Sequence, residues 1–277
     1  MSLKQALQGK LSKKELEKLR ASFDIVGDIA IIEIAKGLAK KEKIIANELL
    51  KTNSSIKTVA KKVGGHIGKY RLQPLKIIAG PKKTEAEVRE SGVRMLVDVA
   101  KCYFSPRLGH ERLRIAKQIK KGEEVLVMFS GVAPYQLVFA KHSPAKIIYG
   151  VELNPVAHKY ALKNVLLNNF GNKIVLFKGD AKKIVPQLAK SGKKFDRIVM
   201  PLPKSGENFL SAALKAAKKG ATIHFYSFLP EGKFAEAEEK ITKACSSSKR
   251  KCKILTIVKA GQQGPRTWRI CADFRVL

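Results

Sequence analysis

Three apolar runs in the later part of the chain each end on residues suited to holding a nucleoside. EVLVM runs into FSGVAPY at Phe129 to Tyr135, KIIYGVE ends on Glu152, and KIVLFK ends on Gly179-Asp180. Gly131 lets the backbone approach a ligand, and the helix that follows offers an electropositive N-terminus. Glu152, at the end of a second strand, is placed to accept hydrogen bonds from both ribose hydroxyls of a nucleoside. Asp180, at the end of a third, is placed to accept from the exocyclic amine of adenine. Each acid alone reads more simply as a helix N-cap. Sites at the ends of three successive strands together point to an adenosine-containing cofactor.

Two further stretches carry chemistry. DRIVM ends in Met200-Pro201-Leu202-Pro203-Lys204, a rigid turn that can hold a planar base or carbonyl group against the cofactor. Upstream, VAKCYFSPRLGHER (Val99 to Arg112) combines aromatics, a Pro-Arg step, a carboxylate and an arginine at a domain junction. Clefts between domains are preferred ligand sites. Arg107 can bind a carboxylate bidentately, and Glu111 can act as a general base if burial raises its pKa. The plainer reading of Glu111-Arg112 is a solvated helix start.

The elements that position these residues follow from the pattern. From Arg112 onward, apolar strands alternate with helices, which predicts a parallel sheet covered on both faces. Helices are expected at 112–120, 134–141, 155–169, 181–190, 205–218 and 232–244. KILTIVKA and TWRICADFRV close the sheet edge as a hairpin, for a mixed seven-stranded, doubly wound α/β domain over 106–277 with its ligand site at the strand C-terminal ends. Residues 1–105 read as a smaller α+β domain: a helix over 4–20, a strand pair at Phe23 to Ile34 broken at Gly27-Asp28, a helix over 38–51, and short strands at Ile56 to Val63, Leu75 to Ala79 and Met95 to Val99.

Composition narrows the partners. Fifty-five Lys and Arg against 23 Asp and Glu give a formal charge of +32, with 45% hydrophobic residues. The apolar content excludes a disordered basic tail, and the excess positive charge favours a polyanion, nucleic acid first. No apolar run approaches the roughly 20 residues of a membrane span. Cys102, Cys245, Cys252 and Cys271 show no metal-ligand spacing, so no metal is expected. The N-terminus has no apolar signal core, which implies a reducing, cytoplasmic setting.

The segments FDIVGDIAIIEI, VDVAKCYFSPRLGHERLRIA, MFSGVAPY, GVELNP, KGDA, DRIVMPLPKS, IHFYSF and GPRTWRICADF, in that order, resemble the archaeal and eukaryotic-type tRNA (guanine-37-N1)-methyltransferase family over about residues 20–277. The resemblance implies a Rossmann-like methyltransferase sheet, S-adenosylmethionine as cofactor, and the anticodon stem-loop of tRNA as partner of a monomer. It implies Glu111 as general base toward guanine N1, and Arg71 as the cation facing guanine O6. Tyr103 and Arg107 would line the cleft near the base and the methionine part of the cofactor. Phe129, Gly131, Glu152, Asp180 and Pro201 would form the cofactor shell, with Tyr103, Pro201 and Lys204 toward the substrate. The chain is too short for the extra N-terminal domain of some archaeal members.

Two positions depart from the family: Pro201 stands where Asn is common, and Ala133 where Gly is usual. Alternatives are the sister family that transfers the aminocarboxypropyl group of the same cofactor in wybutosine synthesis, and a non-catalytic RNA-binding module.

Overall fold

A computed structural model describes residues 2–277. The chain divides into two compact units, one of residues up to 89 with 94–106, the other of 90–93 with 107–277.

The first unit opens with α1 (Leu3–Ala6) and α2 (Lys13–Lys18), where the pattern over 4–20 predicts one helix. Ser2 and Ser12 account for the difference. Each side chain accepts the N–H three residues on, and Gln5 and Glu15 return the bond, so two capping boxes start two helices. Gly9, at φ +79°, turns the chain between them. β1 (Phe23–Val26) and β2 (Ile29–Ile32) form the expected hairpin through Gly27 at φ +59°. A 3-10 turn and α3 (Glu42–Thr52) then cross over to β3 (Thr58–Lys62), parallel to β2, and β4 (Leu75–Ala79) returns antiparallel. Leu7, Ile45 and Leu49 pack with Ile32 and Val59 to form this unit's core.

β5 (Glu85–Glu90) pairs with β6 (Val93–Asp98) as a separate hairpin. β6 holds the expected Met95 run, but β5 was not expected. EAEVRE buries only Ala86 and Val88 on alternate positions, and its four charges mask the period-2 signal.

The second unit contains α4 (Gly109–Ala116), β7 (Glu124–Met128), α5 (Pro134–His142), β8 (Ile147–Glu152), α6 (Pro155–Leu167), β9 (Ile174–Lys178), α7 (Ala181–Lys190) and β10 (Phe195–Met200). It continues with α8 (Leu210–Ala216), β11 (Ala217–Pro230), α9 (Ala235–Ser247), β12 (Cys252–Gly264) and β13 (Thr267–Val276). The strands lie in the order β12-β13-β11-β10-β7-β8-β9, with β13 antiparallel to both neighbours and the central pairs parallel. This is the expected seven-stranded, doubly wound sheet. Leu126, Met128, Ile198, Met200, Ile223 and Phe225 fill its core, as the continuous apolar runs require.

Two of the boundaries that differ from expectation bear on the site. α4 starts at Gly109, so Glu111 lies inside its first turn, not ahead of a helix at 112. The helix expected over 205–218 is a 3-10 turn (Gly206–Phe209) and the short α8, because β11 begins at Ala217. Among the described residues no helix is long and apolar enough to cross a membrane.

Gly150, in mid-β8, is where the sheet admits no side chain. An added Cβ would lie 2.5 Å from Gln136 Nε2 and 2.6 Å from both Leu176 Cδ2 and Ser130 Oγ. Gly150→Ala is therefore expected to destabilise the protein by about 1–3 kcal/mol, measured by urea denaturation; an unchanged midpoint would show that Gln136 and Ser130 move aside freely.

Candidate active site

Strand order reverses between β7 and β10, and open α/β sheets bind ligands in the crevice at such a switch point. The turn after β7 is built around three left-handed residues, Phe129 (φ +59°), Gly131 (+56°) and Ala133 (+70°). Ala133 explains why glycine suits this position: the left-handed backbone costs a residue with a Cβ about 1–2 kcal/mol. Ser130 holds the turn down. Its hydroxyl lies within hydrogen-bond distance of the Val127 and Val151 carbonyls and receives a bond from Gln136 Nε2 at 2.7 Å. The Phe129 ring meets Phe209 edge-on, at 4.8 Å between centroids.

Glu152, at the tip of β8, joins this turn to its own. One carboxylate oxygen accepts the Gly131 N–H at 2.6 Å and the other the Asn154 N–H at 2.7 Å. Burial raises its pKa, against the backbone donors of Asn154, Gly131 and Leu153. A carboxylate offers about four lone-pair sites, so acceptor capacity remains for a diol. Asp180 caps α7, with Oδ1 accepting the Lys182 N–H at 2.8 Å. The N-cap and ligand readings of Asp180 are thus compatible, since its second oxygen is not used in the cap. Two half-buried carboxylates and a glycine turn at the ends of adjacent parallel strands fit an adenosine-type ligand.

Glu111 is 6% exposed. Arg114 donates to both its oxygens, Nε to Oε2 at 2.7 Å and Nη2 to Oε1 at 2.8 Å, and the Tyr226 hydroxyl donates to Oε1 at 2.5 Å. Burial pushes the Tyr226 phenol well up, and Glu111 adds to the effect, so this hydroxyl stays a donor. Arg112 faces elsewhere: its guanidinium forms a two-pronged pair with Glu90 and lies 5.7 Å from the centroid of the Tyr135 ring. Glu111-Arg112 is therefore a buried, fully partnered pair of side chains, not a solvated helix start.

In the first unit, Arg71 and Tyr103 lie in one cluster with His66, whose ring centroid is 5.6 Å from that of Tyr103. Burial lowers the pKa of Arg71, with Tyr103 opposing, and burial lowers that of His66, helped by the charges of Lys62 and Arg71. Arg107, on the 3-10 turn before α4, and Lys204, after β10, are exposed. Pro201 is half-buried at the end of β10. The Leu202 N–H closes a tight turn onto the Met200 carbonyl at 2.8 Å, and the Pro203 carbonyl accepts from Phe228 N–H at 3.2 Å. Two of the backbone groups nearest to the position of the family's Asn side chain are thus already engaged.

Sequence reasoning missed the polar residues behind Glu111: Arg114, Arg197, His224, Tyr226 and Asp273. Their signal was present, since His224 and Asp273 sit between apolar neighbours, Ile223 and Phe225 and Ala272 and Phe274, and a polar group buried there needs a partner. His224, Cys271 and Asp273 also place ligand-type atoms within 4.8 Å of one another. Two guanidinium groups donate into that cluster, from Arg197 to His224 and from Arg114 to Asp273, so it is a hydrogen-bonded ion network.

Known proteins resemble this chain over most of its length. The TRM5/TYW2 methyltransferase domain matches residues 86–255, and the TYW2 N-terminal domain matches residues 3–84. The chain belongs to the TRM5/TYW2 methyltransferase family. Pyrococcus abyssi tRNA (guanine(37)-N(1))-methyltransferase Trm5b is 38% identical over 93% of this chain and 76% of its own length. A structure of the complex of aTrm5 and tRNALeu superposes with a TM-score of 0.86 at 31% identity, covering 99% of this chain and 78% of that one. The tRNA(Phe) (4-demethylwyosine(37)-C(7)) aminocarboxypropyltransferase of Pyrococcus horikoshii is 28% identical over 99% of this chain and 96% of its own length.

In this TRM5/TYW2 chain, Glu152→Ala leaves two backbone donors without their acceptor. The variant is expected to lose about 2 kcal/mol or more of stability, by chemical denaturation, together with heat of adenosine binding by calorimetry. Wild-type stability and binding would show that Glu152 neither holds the turn nor meets the nucleoside.

Proposed function

We propose that this chain transfers the methyl group of S-adenosylmethionine to N1 of guanine 37 in tRNA, in the cytoplasm where that substrate is found. The observation that carries the reading is the buried, fully oriented Glu111 carboxylate in the same unit as the Gly131–Glu152–Asp180 constellation, in a chain 38% identical to a guanine-37 N1-methyltransferase.

Guanine N1 carries a proton at neutral pH and is a poor nucleophile until a base removes it. Glu111 accepts that proton. Arg71 supplies a cation toward O6, where negative charge develops as N1 is deprotonated. Glu152 takes the ribose hydroxyls of the cofactor, Asp180 its adenine amine, and the Gly131 turn its close backbone contact, with Phe129 and Pro201 as apolar walls. Arg107 holds the methionine carboxylate, and Tyr103 packs near the base. S-adenosylmethionine, when bound, would supply a sulfonium-activated methyl group for the N1 lone pair, leaving the neutral thioether S-adenosylhomocysteine. In-line attack needs positioning, not a covalent enzyme intermediate. Lys204 and the excess of 32 positive charges hold the anticodon stem-loop by its phosphates, and the target base is splayed out to reach the pocket.

Aminocarboxypropyl transfer from the same cofactor is the second reading, supported by the matched TYW2 N-terminal domain and the near full-length match to the Pyrococcus horikoshii enzyme. In the resemblance, members of the sister family share the FSxxxxxER pattern but tend to lack the Pro106-Arg107 step and the Leu202-Pro203-Lys204-Ser205 loop, so these two segments favour methylation. Incubation with unmodified tRNA transcript and labelled cofactor separates the two. S-adenosylhomocysteine and 1-methylguanosine at position 37 are expected, while methylthioadenosine as the leftover small molecule would establish the second reading. Glu111→Gln is expected to keep cofactor affinity and lose about 100-fold or more in turnover; near-normal turnover would end its role as base.

A further inference from the structure

Behind Glu111 runs a chain of buried ionised and polar groups in which the signs alternate. Arg114 is shared. Its guanidinium donates to both oxygens of Glu111 and also to Asp273, at 2.7 Å to Oδ2 and 3.3 Å to Oδ1. Asp273 is held from its other side by His224 Nδ1 at 2.6 Å, Cys271 Sγ at 3.2 Å and Gln118 Nε2 at 3.4 Å. Burial keeps His224 low in pKa against the pull of Asp273. The neutral ring therefore donates from Nδ1 and accepts Arg197 Nη1 on Nε2 at 2.8 Å. Arg197 is clamped by Glu123 at 2.8 and 3.1 Å and by the Gln118 carbonyl at 2.7 Å.

Sheet register makes this line. His224 of β11 lies directly opposite Asp273 of β13, and Tyr226 opposite Cys271. Residues two apart share a face of a strand, so β11 presents His224 and Tyr226 together, one to Asp273 and the other to Glu111. Glu111 and Arg114, three apart on α4, complete the circuit.

A buried ion chain of this kind contributes little stability compared with an apolar core, so its arrangement calls for another account. When Glu111 accepts a proton its charge is lost. With Glu111 as its only partner, Arg114 would then be a half-buried cation without an anion, a costly state. Asp273, pulled well below the usual carboxylate range by His224 and Arg114 despite its burial, remains ionised and keeps Arg114 paired throughout.

We propose that Asp273 is a positioning residue for Glu111, acting through Arg114: it orients the accepting carboxylate and leaves Arg114 compensated once the proton has transferred. The inference rests on the reading of Glu111 as the proton acceptor.

A double-mutant cycle under single-turnover conditions tests it, with unmodified tRNA transcript and S-adenosylmethionine. Asp273→Asn is expected to slow methyl transfer about tenfold or more, with cofactor Kd and KM for tRNA within about twofold of wild type. Glu111→Asp keeps a carboxylate but withdraws it from Arg114. In that background, Asp273→Asn is expected to cause no further loss. Losses that multiply in the double variant, or an unchanged rate in folded Asp273→Asn, would overturn the proposal. If Asp273→Asn melts below the assay temperature, Asp273→Glu, which keeps the charge and shifts its reach, carries the same cycle with the same two outcomes. A wild-type protein that transfers no methyl group to guanine 37 would fail the functional reading itself, a result distinct from a cycle without coupling.

Discussion

Charges taken out of water must be paired, and in the second unit that requirement ties the sheet to the helix carrying Glu111. Glu123, Arg197, Asp273, Arg114 and Glu111 are drawn from a loop, two strands and one helix, and each is buried or half-buried against an opposite charge or a neutral bridge. Leaving any one of them unpaired costs several kcal/mol. α4 therefore cannot shift along the sheet without separating Arg114 from Asp273, and β11 cannot slip against β13 without separating His224 from the same carboxylate. The Glu111 carboxylate is located by electrostatics as much as by packing.

A milder form of the same rule shapes the nucleoside end. Turns at the tips of parallel strands expose backbone N–H groups that no neighbouring strand satisfies. Glu152 supplies acceptors for two of them, and the left-handed run through Phe129, Gly131 and Ala133 brings the Gly131 N–H into reach. Ala133 bears a conformational cost there that glycine would avoid, and the buried Ser130–Gln136 bond against Gly150 is what holds the turn in that shape. Two turns are thus satisfied by one side chain.

Placing the chain in the TRM5/TYW2 family joins these two ends. The sulfonium cofactor is common to methyl and aminocarboxypropyl transfer, so the nucleoside half of the site does not separate the two reactions. The difference lies in which carbon of the sulfonium meets the nucleophile. Glu111, with Tyr226 and Arg114 fixing both oxygens, stands in the FSxxxxxER pattern that the resemblance assigns to both families, so it does not separate the two reactions either. Pro201 offers no side-chain amide at the end of β10, and the Leu202 N–H beside it is engaged by the Met200 carbonyl.

Much of this was legible in the residues alone. Continuous apolar runs alternating with helices dictated the parallel sheet, because a strand buried on both faces has no room for polar alternation. Glu152 and Asp180 stood out because strand C-terminal tips are where such sheets bind ligands. The splitting of the first helix was also written in the chain, as two capping boxes around Gly9. The long-range pairings were not. Arg114 meets Asp273 across 159 positions, and Tyr226 meets Glu111 across 115. Nothing local in α4, β11 or β13 specifies those partners; strand order and register bring them together. The types and local spacing of residues thus determined the elements and the nucleoside tips, since both depend on near neighbours. Which buried charges share a partner was decided only when the sheet closed, because Coulomb pairing depends on distance in space and not along the chain.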